Sequence, residues 1–421
     1  MIKIILLVLL YLIFPVVVIL ICRRWSFFEK LGTIVIAYAF GLILGNVGII
    51  PHGSSDYIEL RQGRAAIPAA EMNEYIDRGD LDSDDLYANR IAGVQDLILT
   101  IIIPLALPLL LFSLKIKEWL KYARAGFVSM ILALVSVIII VIAGYYIFRD
   151  SVHDAGKVAG MLVGIYTGGT PNVASIKTAL NVDNELFLMT HTSDLVIGAI
   201  VIIFFITLAP RIFRLFLPEF KYRGTDMDPE KAAAEAKSVE DFSRLVKRGS
   251  FIKILKALGI AALIFAVSGG LSFLVSPDKQ MLVAILGVTT LGIAASLIPR
   301  VNRIDVSFQL GMYLILIFSF MVSSMADLSR FVTIEYLNIV LFVAFVVFGS
   351  LILHLILAWI FRVNVDDFLI TTTALVYSPP FVPVVAGALK NKEIIITGLT
   401  VGVIGYAIGN YIGITLGGIL P

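Results

Sequence analysis

The chain has 421 residues, 59% of them apolar and only 15% charged, against about 25% charged in ordinary globular proteins. With a mean hydropathy of +0.96 it lacks the polar surface that a soluble fold needs, so a cytosolic enzyme, a nucleic-acid binder and a disordered scaffold are excluded. The 33 Lys and Arg against 31 Asp and Glu leave a formal +2 with no single basic block, and the lone Cys22 excludes an intrachain disulfide or a cysteine-based metal cluster.

Every backbone group in hydrocarbon must be paired internally, so a spanning helix needs about 20 mostly apolar residues. Twelve stretches come close. In chain order they are Ile4 to Cys22, Leu31 to Ile50, Leu97 to Leu114, Ala125 to Phe148, Val158 to Ile176, Leu186 to Ala209, Ala257 to Val275, Met281 to Pro299, Val306 to Ala326, Tyr336 to Phe361, Phe368 to Leu389, and Ile394 to Leu420. The first is flanked by Lys3, Arg23 and Arg24 and has no small-residue cleavage site, so it reads as a retained helix and not a signal peptide. Two polar insertions interrupt the series. Asp56 to Arg90 is acidic and turn-rich, while Arg211 to Lys256 is basic, and its Ala, Glu and Lys content predicts a helix over Pro229 to Lys247.

The fifth and eleventh stretches carry helix breakers near their centres, TGGTPN at Thr167 to Asn172 and YSPPFVP at Tyr377 to Pro383. An offset of 208 residues places Thr170-Pro171 on Ser378-Pro379, Glu185 on Glu393 and Thr192 on Thr400, as a duplicated unit would. If both broken stretches turn back on themselves, Arg23, Arg24, Lys115, Lys117, Lys121 and Arg124 all fall inside, in keeping with the positive-inside rule. The expected architecture is an all-α polytopic membrane protein of two inverted repeats, each with five transmembrane helices and one broken or re-entrant hairpin. Residues 1–210 form the first repeat, with an extracytoplasmic insertion at 51–92; residues 211–256 form a cytoplasmic linker; residues 257–421 form the second repeat. The expected location is the inner (plasma) membrane, with both termini extracytoplasmic.

Thr170 before Pro171 is a helix-start signal, in which a hydroxyl can accept from first-turn amides and Pro gives up no needed hydrogen bond. Ser378-Pro379 repeats it. Two half-helix N-termini at the midplane would bring partial positive charge to a substrate carboxylate. Asp194 lies deep in the sixth stretch, where a carboxylate costs about 2.5 to 3.5 kcal/mol on insertion scales and asks for a partner or a purpose. Thr190, His191 and Asp194 share one helical face, which could bind Na⁺ through oxygens or shuttle a proton. The glycines Gly398, Gly402, Gly405, Gly409 and Gly413 form a stripe in the last stretch and predict close helix packing. His354 reads as a histidine bonded to a neighbouring helix. No phosphate loop, HExxH or GxSxG motif is present, so no enzyme activity is expected.

Gly168-Gly169-Thr170-Pro171-Asn172, Asp194, and Gly402 to Gly409 together resemble the uncharacterised YjcL-like family of membrane proteins and, more distantly, the sodium:glutamate symporters. The resemblance implies inverted repeats, outward-facing termini, hairpins that meet at a substrate site, and sodium- or proton-driven movement of small carboxylates by one domain sliding against a scaffold. At the second hairpin the chain departs from the Gly-Gly-Pro tip of such relatives and reads Tyr377-Ser378-Pro379-Pro380-Phe381. The candidate substrate contacts are Thr167, Gly168, Gly169, Thr170, Asn172, Tyr377, Ser378 and Pro379. The candidate ion-coupling residues are Asp194, Thr190 and His191, with Asp194 as a Na⁺ ligand. No cofactor is expected beyond that Na⁺ or H⁺. The expected partners are a small solute and the lipid bilayer, with no nucleic acid; a homodimer is left open. The competing expectation is a non-transporting scaffold or sensor that recruits partners through one of the two polar insertions.

Overall fold

The computed structural model describes residues 2–61, 64–114, 124–221, 241–326, 328, 333–377, 381–391 and 393–420. Among these residues every regular element is a helix. In the first half, α1 (Ile2–Arg24), α2 (Thr33–Asn46), α3 (Ser83–Leu111) and α4 (Arg124–Phe148) precede a broken pair, α5 (Ala155–Gly168) and α6 (Thr170–Ala179), and then α7 (Asn184–Thr207). The second half runs in the same order. Here α8 (Ser250–Ser272), α9 (Gln280–Ser296), α10 (Ser307–Ser324) and α11 (Ile334–Ile360) precede the pair α12 (Val365–Val376) and α13 (Val382–Leu389), and then α14 (Ile394–Ile419). Each apolar stretch thus becomes one helix or one helical pair.

Helices α1, α3, α4, α7, α8, α10, α11 and α14 are long and apolar enough to cross a bilayer, and α2 and α9 are shorter apolar helices. The protein is an all-helical, polytopic membrane protein. Its periphery agrees: α1 exposes Leu6, Ile13 and Leu20, and α8 exposes Ile252, Leu255 and Leu263, faces suited to acyl chains and not to water.

The polar insertions differ from their expected form. The end of the acidic one is the start of α3, which a capping box between Asp82 and Asp85 begins well before the apolar stretch. The rest folds into a small lobe around Tyr57, Ile67, Met72 and Leu81. Asn89 fastens it, accepting from the Ile67 amide at 2.7 Å and the Tyr57 hydroxyl at 3.0 Å while donating to the Ile67 carbonyl at 2.8 Å. On its surface Arg64 grips Glu71 with two hydrogen bonds of 2.7 and 2.9 Å and holds that carboxyl below its ordinary pKa. The helix predicted over Pro229 to Lys247 lies mostly outside the described residues. Its described end is a 3-10 turn, Phe242–Val246, capped by the Asp241 carboxylate, which accepts from the Ser243 amide at 3.2 Å.

Each broken pair turns back on itself, and α14 supplies the ruler. A side chain at Gly405 or Gly409 would collide with Thr167, at the first break; one at Gly413 would meet Gly160 and Ile176; one at Gly417 would meet Gly156 and Leu180. Both legs of the first pair therefore run along α14 toward its C-terminal end. The second pair opens at the other end. Asn391, just before α14, donates to Asp366 at the start of α12 at 2.8 Å, and Gly398 faces both Ile370 and Val382. The glycine stripe is a groove, and missing side chains let the hairpin backbones approach it. Gly41 and Gly45 of α2 do the same against Phe320, Ser323 and Ser324 of α10.

Candidate functional site

The first break is set by Gly169, whose φ of 69° lies in the left-handed region that favours glycine. Gly169 is the N-cap of α6, and Pro171 sits in the first turn, where its missing N–H costs nothing. Thr170 is already helical, so the expected side-chain cap does not form. At the second break α12 ends at Val376 and α13 starts at Val382 with Pro383 in its first turn. The predicted start at Ser378-Pro379 lies, with Pro380, outside the described residues.

A cavity of about 110 Å³ lies between the two breaks. Gly169 and Thr170 border it from the first hairpin, and Tyr377 and Phe381 from the second. Asp194 and Gly198 of α7 close one side, Met312 of α10 another, and the start of α2, Gly32 to Val35, a third. Tyr377 is held by its hydroxyl, which donates to the Gly198 carbonyl at 3.0 Å. Its ring lies 5.9 Å from that of Phe381. Gly32, with φ of 85°, leaves room for the Phe381 ring, which a β-carbon there would approach to 3.2 Å.

Among the described residues, Asp194 is the one carboxylate on this cavity, and no Lys or Arg lines it. Tyr166, near the end of α5, donates its phenol to Asp194 Oδ1 at 2.9 Å. His191 Nδ1 stands 3.8 Å from Oδ2, beyond a hydrogen bond. His191 is 1% exposed, and neither ring nitrogen has a hydrogen-bond partner. The ring of Tyr38 meets it edge-on at 5.2 Å.

The site residues named from sequence separate into two groups. Gly169, Thr170, Tyr377 and Asp194 border the cavity, and His191 stands behind Asp194. Thr167, Gly168 and Asn172 turn toward α14 instead: Thr167 donates to the Val163 carbonyl at 2.7 Å, Asn172 donates to the Gly405 carbonyl at 3.0 Å, and a side chain at Gly168 would meet Asn172. Helix geometry explains the split. At about 100° per residue, Thr170 and Asn172 point to nearly opposite faces of α6. Thr190 is fully buried and donates to the Leu186 carbonyl one turn back at 2.8 Å, so its hydroxyl stays on its own helix. Asn410 is likewise a tie: it accepts from Ser175 of α6 and donates to Thr289 of α9.

Three contributors were missed. Tyr166 carried a signal, a phenol in the turn before the glycine break. Gly32-Thr33 also did, a glycine ahead of an apolar run. Gly198 had none, since its role is to receive Tyr377 from 179 positions away in sequence.

The family model described as "Protein of unknown function (DUF819)" matches residues 86–421, most of the chain. The chain belongs to that family. The matched DUF819 region takes in both hairpins, Asp194 and α14, and leaves out α1, α2 and the lobe. The chain is also similar to the "Uncharacterized membrane protein YjcL" of Bacillus subtilis (strain 168), with 28% identity over 335 residues, 77% of this chain and 83% of that protein. The resemblance seen in the glycine breaks is thus to this membrane family.

Proposed function

We propose that this DUF819 protein is an ion-coupled secondary transporter of a small solute, a carboxylate or an amino acid, with no catalytic step of its own. It works in the plasma membrane as two inverted repeats, with both termini outside. What supports the repeat is that the two hairpins open at opposite ends of α14. The observation that carries the function is that both helix breaks and one intramembrane carboxylate border a single cavity. Broken helices that line a cavity are how transporters expose backbone groups to a solute without exposing them to lipid.

In this reading Thr170, the Gly169 backbone and the start of α2 hold the solute, while Tyr377 and Phe381 cover it. Asp194 binds the coupling ion, Na⁺ or H⁺. Ion and solute share one cavity, so occupancy by either changes affinity for the other by the same factor.

Thermal unfolding of the purified protein tests this. A panel of amino acids and small carboxylates is run with Na⁺, with Li⁺ and across pH. Saturating ligand raises stability by about 2.7 kcal/mol at a hundredfold excess over Kd. The expected result is a ligand shift that depends on the ion and disappears in Asp194→Asn. A flat panel would favour a non-transporting scaffold or sensor.

A further inference from the structure

A second, smaller cavity of about 30 Å³ lies beside the first, with Val376 and Tyr377 as their common wall. It is large enough for a water molecule or two, at roughly 10 to 15 Å³ each. Tyr166, Ser350, His354 and Thr372 bring polar groups to it. Tyr166 therefore borders this cavity while its phenol reaches Asp194, which borders the other.

His354 continues the polar line. The Thr372 hydroxyl donates to the Phe368 carbonyl at 2.9 Å, so in the 3.1 Å contact between His354 Nδ1 and that hydroxyl the ring N–H is the donor. His354 Nε2 is then the nitrogen with the lone pair, 3.4 Å from the Ser129 hydroxyl oxygen. That hydroxyl donates to the Asp367 carbonyl at 3.4 Å, at the open end of the second hairpin. Three groups that both give and take protons, His354, Thr372 and Tyr166, thus lie around the small cavity on the way to Asp194.

The immediate surroundings of Asp194 are also proton chemistry. Hard cations need a shell of oxygen ligands. Here Asp194 Oδ1 already accepts from a proton donor, the Tyr166 phenol, the Tyr377 hydroxyl is taken up by the Gly198 carbonyl, and the imidazole of His191 stands 3.8 Å from Oδ2, while Thr33 and Thr170 carry the hydroxyls on the cavity wall. The titratable groups facing Asp194 are Tyr166 from α5, His191 from α7 and Tyr377 after α12, with Tyr38 of α2 against His191. Those facing His354 are Tyr166 and Tyr377 across the small cavity.

We infer, resting on the transporter reading above, that the coupling ion is a proton and that it reaches Asp194 from the smaller cavity, through Tyr166 and past His354. Asp194 Oδ1 takes the phenolic proton as the Tyr166 oxygen regains one from cavity water. His354 resupplies that water through Thr372, losing its Nδ1 proton while its Nε2 lone pair takes one from a hydronium ion of the bulk solvent, which is left as water. One proton moves inward and no group is left with a changed charge except Asp194, which becomes neutral.

The test uses the full chain in sodium-free lipid vesicles loaded with the pH dye pyranine. A mixture of the standard amino acids and of two- to six-carbon mono- and dicarboxylates is added outside, with radioactive ²²Na⁺ in a parallel set. Wild type should acidify the lumen without sodium, and Asp194→Asn should not. Tyr166→Phe and His354→Leu should slow acidification by about tenfold or more with unchanged melting temperature; Thr372→Val serves if His354→Leu does not fold. Entry of ²²Na⁺ with the mixture at constant lumen pH would overturn the proton inference and leave the transporter reading standing. Movement of neither ion would overturn both. Full-rate acidification in folded His354→Leu and Thr372→Val would remove the route.

Discussion

The two hairpins share a shape but not a setting. The first is locked into α14: every residue of α5 from Val158 to Gly168 is buried, and its tip is tied by Asn172 to the Gly405 carbonyl. The second meets α14 through fewer contacts, and it brings two aromatic rings to the cavity where the first brings Gly169 and Thr170. Gly387, in its returning leg, has nothing within 4 Å of where a β-carbon would sit. One hairpin is thus built to hold backbone groups still, the other to place bulk across the opening.

Substitutions along the two hairpins should sharpen this contrast. Gly405→Val drives a side chain into the Thr167 carbonyl and should destabilise the protein most, by about 3 kcal/mol or more, read as a lowered melting temperature and poor recovery from detergent. Asn172→Ala removes the side-chain bond to the Gly405 carbonyl, which keeps its helical donor, and should cost about 0.5 to 1.5 kcal/mol. Gly387→Ala, in open space within a helix, should stabilise by about 0.4 to 1 kcal/mol. Equal losses at Gly405 and Gly387 would erase the distinction between the hairpins.

The smallest effect belongs to the lobe. The Glu71 pKa is lowered in the folded state by the Arg64 hydrogen bonds, so its contribution is present at neutral pH and is lost as pH falls through the folded value. Acid melts should therefore show Glu71→Gln losing its small deficit relative to wild type below that point, with the membrane helices unaffected.

The twelve apolar stretches and both breaks were legible in the sequence, because hydrocarbon punishes an unpaired backbone and glycine and proline announce where one occurs. The facing of the side chains was not. Asn172 and Thr167 looked like ligands because they flank Gly168-Gly169, yet what turns them away from the cavity is the glycine groove of α14, 233 positions on in the case of Asn172. Thr190 looked like part of an ion site by spacing, but a buried helical hydroxyl can satisfy itself on the second lone pair of the carbonyl four residues back. Tyr166 could have been found by asking which donor would accompany a buried carboxylate.

Because the only cysteine, Cys22, is buried and lies outside the site, the convergence of the two hairpins can be measured directly. In a Cys22→Ala background, Thr170→Cys and Phe381→Cys are combined and treated in membranes with a short bis-maleimide. The account predicts an intramolecular cross-link that a stabilising solute from the ligand panel suppresses. Full labelling of both cysteines with no cross-link would contradict it.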